Sequence, residues 1–127
     1  MFSKEAHGGG FMLRQGKAWG YTTEVFKSQS VEVHVIEIVK GGYCSIHDHK
    51  KVNIFHVISG KLKVKIWMDG KLIDETIIGK GETTAVYAGF EHQFEGLEDS
   101  ICLEIYHIFL EPGDINRKKG SKGGIKK

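Results

Sequence analysis

The chain reads as an all-β domain, and two observations carry that reading. Short alternating or continuously apolar runs are separated by turn residues, chiefly glycine and aspartate. No segment carries the 3.6-residue apolar period over a length that would make a stable amphipathic helix. With 127 residues, 40% of them apolar and 27% charged, one domain can bury a core of its own.

The elements follow in order. Residues 1–10 contain Gly8-Gly9-Gly10 and too little apolar surface to offset their ordering entropy, so they are expected to be flexible. Residues 31–39 alternate well and stop at Gly41-Gly42. Residues 52–59 are apolar, and Gly60 turns them into residues 61–68. In that run Leu62, Val64, Ile66 and Met68 face one way, while Lys61, Lys63, Lys65 and Trp67 face the other. Asp69-Gly70 is a hairpin turn pair, because glycine takes the positive φ such a turn demands. Residues 72–78 follow, then the turn 79–82 and strands over 83–87, 92–96 and 101–110, about eight strands in all. Residues 118–127 hold five lysines and are expected to be a flexible, solvated tail. The domain core is therefore placed at about 19–117.

Composition excludes several function classes. The formal charge is +2, and the body without the lysine tail is slightly acidic, so neither a nucleic-acid nor a membrane partner is expected. The two cysteines, Cys44 and Cys102, lie in apolar runs and read as free buried thiols. The start lacks a signal-peptide pattern and no run nears the ~20 apolar residues of a membrane helix. A cytoplasmic location is expected.

Chemistry concentrates in the histidines. His47 and His49 are two apart, so on an extended segment they project to one face, and neutral imidazoles at that spacing can converge on one ion. His92, delivered from another strand, would complete a compact metal site. His7 and His107 are expected to be bystanders, and His34 and His56 structural or exposed.

The spacing around these residues resembles the cupin superfamily. Its first motif is a glycine, five residues, His-x-His, three or four residues, a glutamate, six residues and a glycine. Gly41, His47, His49 and Gly60 fall on those positions, with Asn53 at that of the glutamate. The second motif is matched by Gly81, Gly89 and His92, with Tyr87 in place of its proline and Gly96 in place of its asparagine. The resemblance implies a double-stranded β-helix, the jelly-roll barrel, holding one divalent transition metal ion (zinc, iron, manganese or nickel) on His47, His49 and His92. Asn53 changes the chemistry, since a carboxamide oxygen is neutral where a carboxylate is charged. The expected site is thus three histidines plus water or a weakly held Asn53 oxygen, with a preference for anionic ligands.

The flanks are similar to the cupin domain of mannose-6-phosphate isomerases fused to guanylyltransferases: Trp19 and Gly20 before the barrel, Asp114, Ile115 and Arg117 after it. In that comparison Glu104 matches a carboxylate of the last core strand, making it the candidate catalytic base. A structural carboxylate is its other reading. The resemblance implies a small polar ligand or substrate, sugar-like or carboxylated, and metal-assisted isomerisation or epimerisation. Three-histidine ferrous dioxygenase chemistry and non-catalytic ligand binding are the alternatives. Open sheet edges and outward apolar residues lead to the expectation of a homodimer.

Overall fold

The computed structural model describes residues 13–108, together with 123 and 125. Nine strands run in order through the described residues: β1 (Arg14–Lys17), β2 (Gly20–Lys27), β3 (Val31–Ile38), β4 (Val52–Ser59), β5 (Lys61–Met68), β6 (Lys71–Gly79), β7 (Thr83–Val86), β8 (Glu91–Gly96) and β9 (Ser100–His107). They form two antiparallel sheets. One has six strands in the order β1-β2-β3-β9-β4-β7, the other three in the order β6-β5-β8. β1 and β2 lie where sequence patterning named no strand, because the first is short and the second is interrupted by a β-bulge between Glu24 and Phe26. The expectations for residues 1–12 and 109–122, including Asp114, Ile115, Arg117 and the lysine tail, fall outside the described residues.

The core sits between the sheets. Ile36, Phe55, Val57, Leu62, Val64, Val86, Phe94 and Cys102 are buried there, with Cys44 at its edge. β5 shows why. Leu62 and Val64 turn inward, while Lys63 and Lys65 turn out beside Glu75 of β6, at 3.5 and 4.0 Å. Met68 is half exposed rather than inward, because it is the last residue of β5, next to the Asp69-Gly70 turn. The Asp69-Gly70 turn has φ of 51° and 75°, the two positive values that a two-residue type I′ hairpin needs. Gly60 links β4 to β5 at φ 94°, and a Cβ there would run into Ser100 and the Asp99 carbonyl.

The register of the larger sheet sets up the site. In the ladders β3–β9–β4, Ile36, Cys102 and Val57 stand in one row. Two residues along, the row is His34, Glu104 and Phe55; two further, it is Glu32, Tyr106 and Asn53. Directly opposed residues share a face, as do residues two apart on a strand. The inner face of this sheet therefore changes from wholly apolar to polar within four residues, at one end of the sandwich.

Candidate metal centre

Residues 41–50 are not a regular strand. They run antiparallel alongside β8 and attach to it by isolated bridges, Tyr43 opposite Glu95 and His47 opposite His92. The His47 and His92 backbones exchange both hydrogen bonds, at 3.1 and 2.8 Å. Such a pair sets both side chains on one face. Gln93 Nε2 donates to the Cys44 carbonyl at 2.8 Å, and the Gly89 amide donates to the His49 carbonyl at 2.8 Å, which hold the segment further.

The three rings converge. Centroids lie 4.6 Å apart for His47–His49, 4.6 Å for His47–His92 and 5.2 Å for His49–His92. One nitrogen from each falls within 4.8 Å of the others. His47 Nδ1–H donates to the Ser45 carbonyl at 2.7 Å, and His92 Nδ1–H to the Phe90 carbonyl at 3.1 Å. A neutral ring that donates through Nδ1 carries its lone pair on Nε2, so those bonds select the tautomer a metal requires.

Electrostatics keep His92 and His49 neutral. Burial, aided by the neighbouring His47 and His49, pushes His92 down to about 4. Burial first, then the charge of His47, also lowers His49. His49 Nε2 is buried with no hydrogen-bond partner. A buried, unpartnered lone pair costs free energy unless something positive meets it.

Asn53 on β4 is fully buried, with Oδ1 3.0 Å from His92 Nε2. Its Nδ2 lacks a well-aligned acceptor, though the carboxamide favours the charged form of nearby Glu104. Three imidazole lone pairs and one amide oxygen thus gather with no proton to share among them. The donor set fits a divalent transition ion of borderline softness.

Glu104 is buried in the same wall. Burial raises its pKa, and the Tyr106 hydroxyl, His34, His47 and Asn53 pull it back. Tyr106 stands between groups: its ring meets His49 edge-on at 5.0 Å and His34 at 5.9 Å. A cavity of about 620 Å³ opens over these residues, lined by His47, His49, Glu104, Tyr106, Lys50 and Lys51 together with Thr22, Glu32 and His34.

The sequence-derived candidates separate here. His47, His49, His92, Asn53 and Glu104 come together. His56 lies away from Asn53 and bonds the Thr83 hydroxyl at 2.7 Å. Tyr87 is exposed, while Phe94 is core, meets Trp19 edge-on at 4.9 Å and lines the cavity together with it. Arg14 does not reach the site, because Glu37 holds it at 2.9 Å over the Tyr21 ring. His34, expected to be structural or exposed, lines the cavity. The signal was in the pattern: Glu32 and His34 share the period-two face of Ile36 and Ile38, both core.

No protein-family profile and no curated protein matches the chain. Solved structures do. A conserved protein of unknown function from Streptococcus pyogenes, SPY1581, aligns at TM-score 0.63 and 16% identity over 76% of this chain and 80% of its own. KdgF from a Halomonas species aligns at 0.65 and 16%, over 76% and 88%. A single-site variant of the oxalate decarboxylase of Bacillus subtilis aligns at 0.68 and 19%, over 76% of this chain and 27% of that one; another structure of that enzyme concerns its Mn(II) centres. These likenesses, all below 25% identity, show the fold alone, a jelly roll of two antiparallel sheets.

Proposed function

We propose that this chain is a metal-dependent cupin in which His47, His49 and His92 hold one divalent transition metal ion, and that its cavity presents a small polar molecule to that ion. The observation that carries the reading is the tautomer arrangement. Two of the rings spend Nδ1–H on backbone carbonyls, and the third keeps a buried, unpartnered Nε2. When bound, the ion would act as a Lewis acid on a ligand oxygen.

The chain's own residues supply the rest. Three neutral histidines and a neutral carboxamide cancel none of the ion's charge, and Lys50 and Lys51 stand on the same cavity wall, so an anionic or strongly polar oxygen is favoured. Glu104 is placed to hold or move a proton. It is buried, its pKa is raised, and the Tyr106 hydroxyl orients its carboxylate. Proton transfer at a carbon next to a polarised oxygen, as in isomerisation or epimerisation, is the reaction class these groups suit. Glu104→Gln is expected to abolish such turnover while leaving metal content unchanged.

The direct test is elemental analysis of untagged protein purified without chelators, beside a His47→Ala/His49→Ala double variant. Near-stoichiometric metal in the wild type and none in the variant supports the reading. Equal metal contents, or none in either, would sink it. The neighbouring oxalate decarboxylase, with its Mn(II) centres, makes manganese one ion to measure beside zinc, iron and nickel.

A further inference from the structure

In the same cavity as His47 and His49, three residues of β2 and β3 form a group that the metal site leaves unused. His34 Nε2–H donates to Glu32 Oε2 at 2.8 Å, and the Thr22 hydroxyl meets His34 Nδ1 at 3.2 Å. Whichever of His34 and Thr22 carries the shared hydrogen, the Thr22 oxygen keeps at least one lone pair free. Glu32 keeps its second oxygen, which Lys27 approaches at 3.9 Å on the exposed rim. The His34 bond comes first among the causes that hold the Glu32 carboxyl below its usual range. This wall therefore offers acceptors, and a carboxylate among them repels a second anion.

The rest of the cavity lining has the reverse character, with Lys50, Lys51, His47 and His49. Tyr106 links the two groups, its ring 5.0 Å from His49 and 5.9 Å from His34, so one small molecule can reach both.

We propose that Thr22, Glu32 and His34 form a second subsite that accepts hydroxyl groups, so that the ligand is a hydroxylated acid: its anionic head lies at the three-histidine centre and its hydroxyl-bearing tail against β2 and β3. This rests on the metal reading and adds to it the residues that select the tail.

The test compares two acids with the same metal-chelating head. Glycolate carries an α-hydroxy carboxylate alone; gluconate carries the same head and a polyhydroxylated tail. Both are titrated calorimetrically into zinc-loaded wild type, Thr22→Val and Glu32→Gln, with zinc content checked afterwards. Thr22→Val keeps side-chain shape and strand preference, so the fold is preserved. Wild type is expected to prefer gluconate, and each variant to lose about three- to tenfold of that preference, the worth of one hydrogen bond, with glycolate affinity unchanged. Equal affinities for the two acids in wild type would overturn the proposal. So would a preference that survives both substitutions, which would leave the Glu32–His34 pair a tie between strands. If glycolate fails to bind, or zinc fails to load, the metal reading itself falls and takes the subsite with it.

Discussion

Replacing His92 and His47 separately by alanine divides metal binding from folding. His92 is 1% exposed, with Nδ1–H given to the Phe90 carbonyl and its ring set against Phe55. His92→Ala leaves a cavity and a Phe90 carbonyl without that donor, so the metal-free protein is expected to lose about 3 kcal/mol. His47 is half-buried and its one backbone bond, to Ser45, is at the surface. His47→Ala is expected to cost the metal-free protein less than about 1 kcal/mol. Both lose one of three ligands, and the affinity loss should exceed the ten- to about hundredfold that an outer-sphere partner is worth.

Linkage turns that into a readable number. At zinc a hundredfold above the wild-type Kd, binding stabilises the native state by about 2.7 kcal/mol; a hundredfold weaker site gains only about 0.4 kcal/mol. For a domain of this size the wild-type gain is a rise of roughly 10 °C in Tm. Trp19, packed on Phe94, provides the fluorescence signal for urea and thermal unfolding with and without zinc. A His47→Ala protein that zinc stabilises as strongly as wild type would refute the ligand assignment. A metal-free His92→Ala protein as stable as metal-free His47→Ala would refute the account of His92 as a structural part of the barrel.

Other outcomes follow from the same geometry. Asn53→Asp conserves volume but adds a buried carboxylate beside Glu104, so the metal-free protein should lose about 1–3 kcal/mol while zinc affinity rises; lower zinc affinity by calorimetry would count against Asn53 facing the ion. Burial pushes Cys44 up to about 11 and Cys102 up to about 12, against 9.0 for a free thiol. A raised folded-state pKa gives stability that is complete below the unfolded value and lost as pH rises through the folded one. At pH 10 each thiol should therefore cost roughly 1.4 kcal/mol relative to pH 8, and a Cys44→Ala/Cys102→Ala variant should show a shallower decline in urea unfolding. Gly60→Ala forces a side chain into Ser100 and the Asp99 carbonyl at a positive φ. It should destabilise by more than about 1 kcal/mol in the same assay; a neutral result would mean the β4–β5 turn relaxes freely.

Sequence alone determined the strands from β3 onward and the grouping of three histidines, for a shared physical reason: both rest on local patterns. Alternation marks which side of β5 faces inward, and Asp69-Gly70 marks a two-residue hairpin, because each depends on residues a few positions apart. The motif glycines and histidines are legible because a tight turn and a paired imidazole need particular residue types at set spacings. Only the tertiary structure decided which neighbours those residues acquire. His34 stands beside Glu104 because β3 pairs with β9 in one register, although the two strands are far apart along the chain. Tyr106 comes to lie between His34 and His49 by that pairing and by the antiparallel pairing of residues 43–47 alongside β8. Bulges put one extra residue into β2, Val25, and one into β6, Ile73, and a bulge reflects how two strands twist against each other, which no single run of residues records.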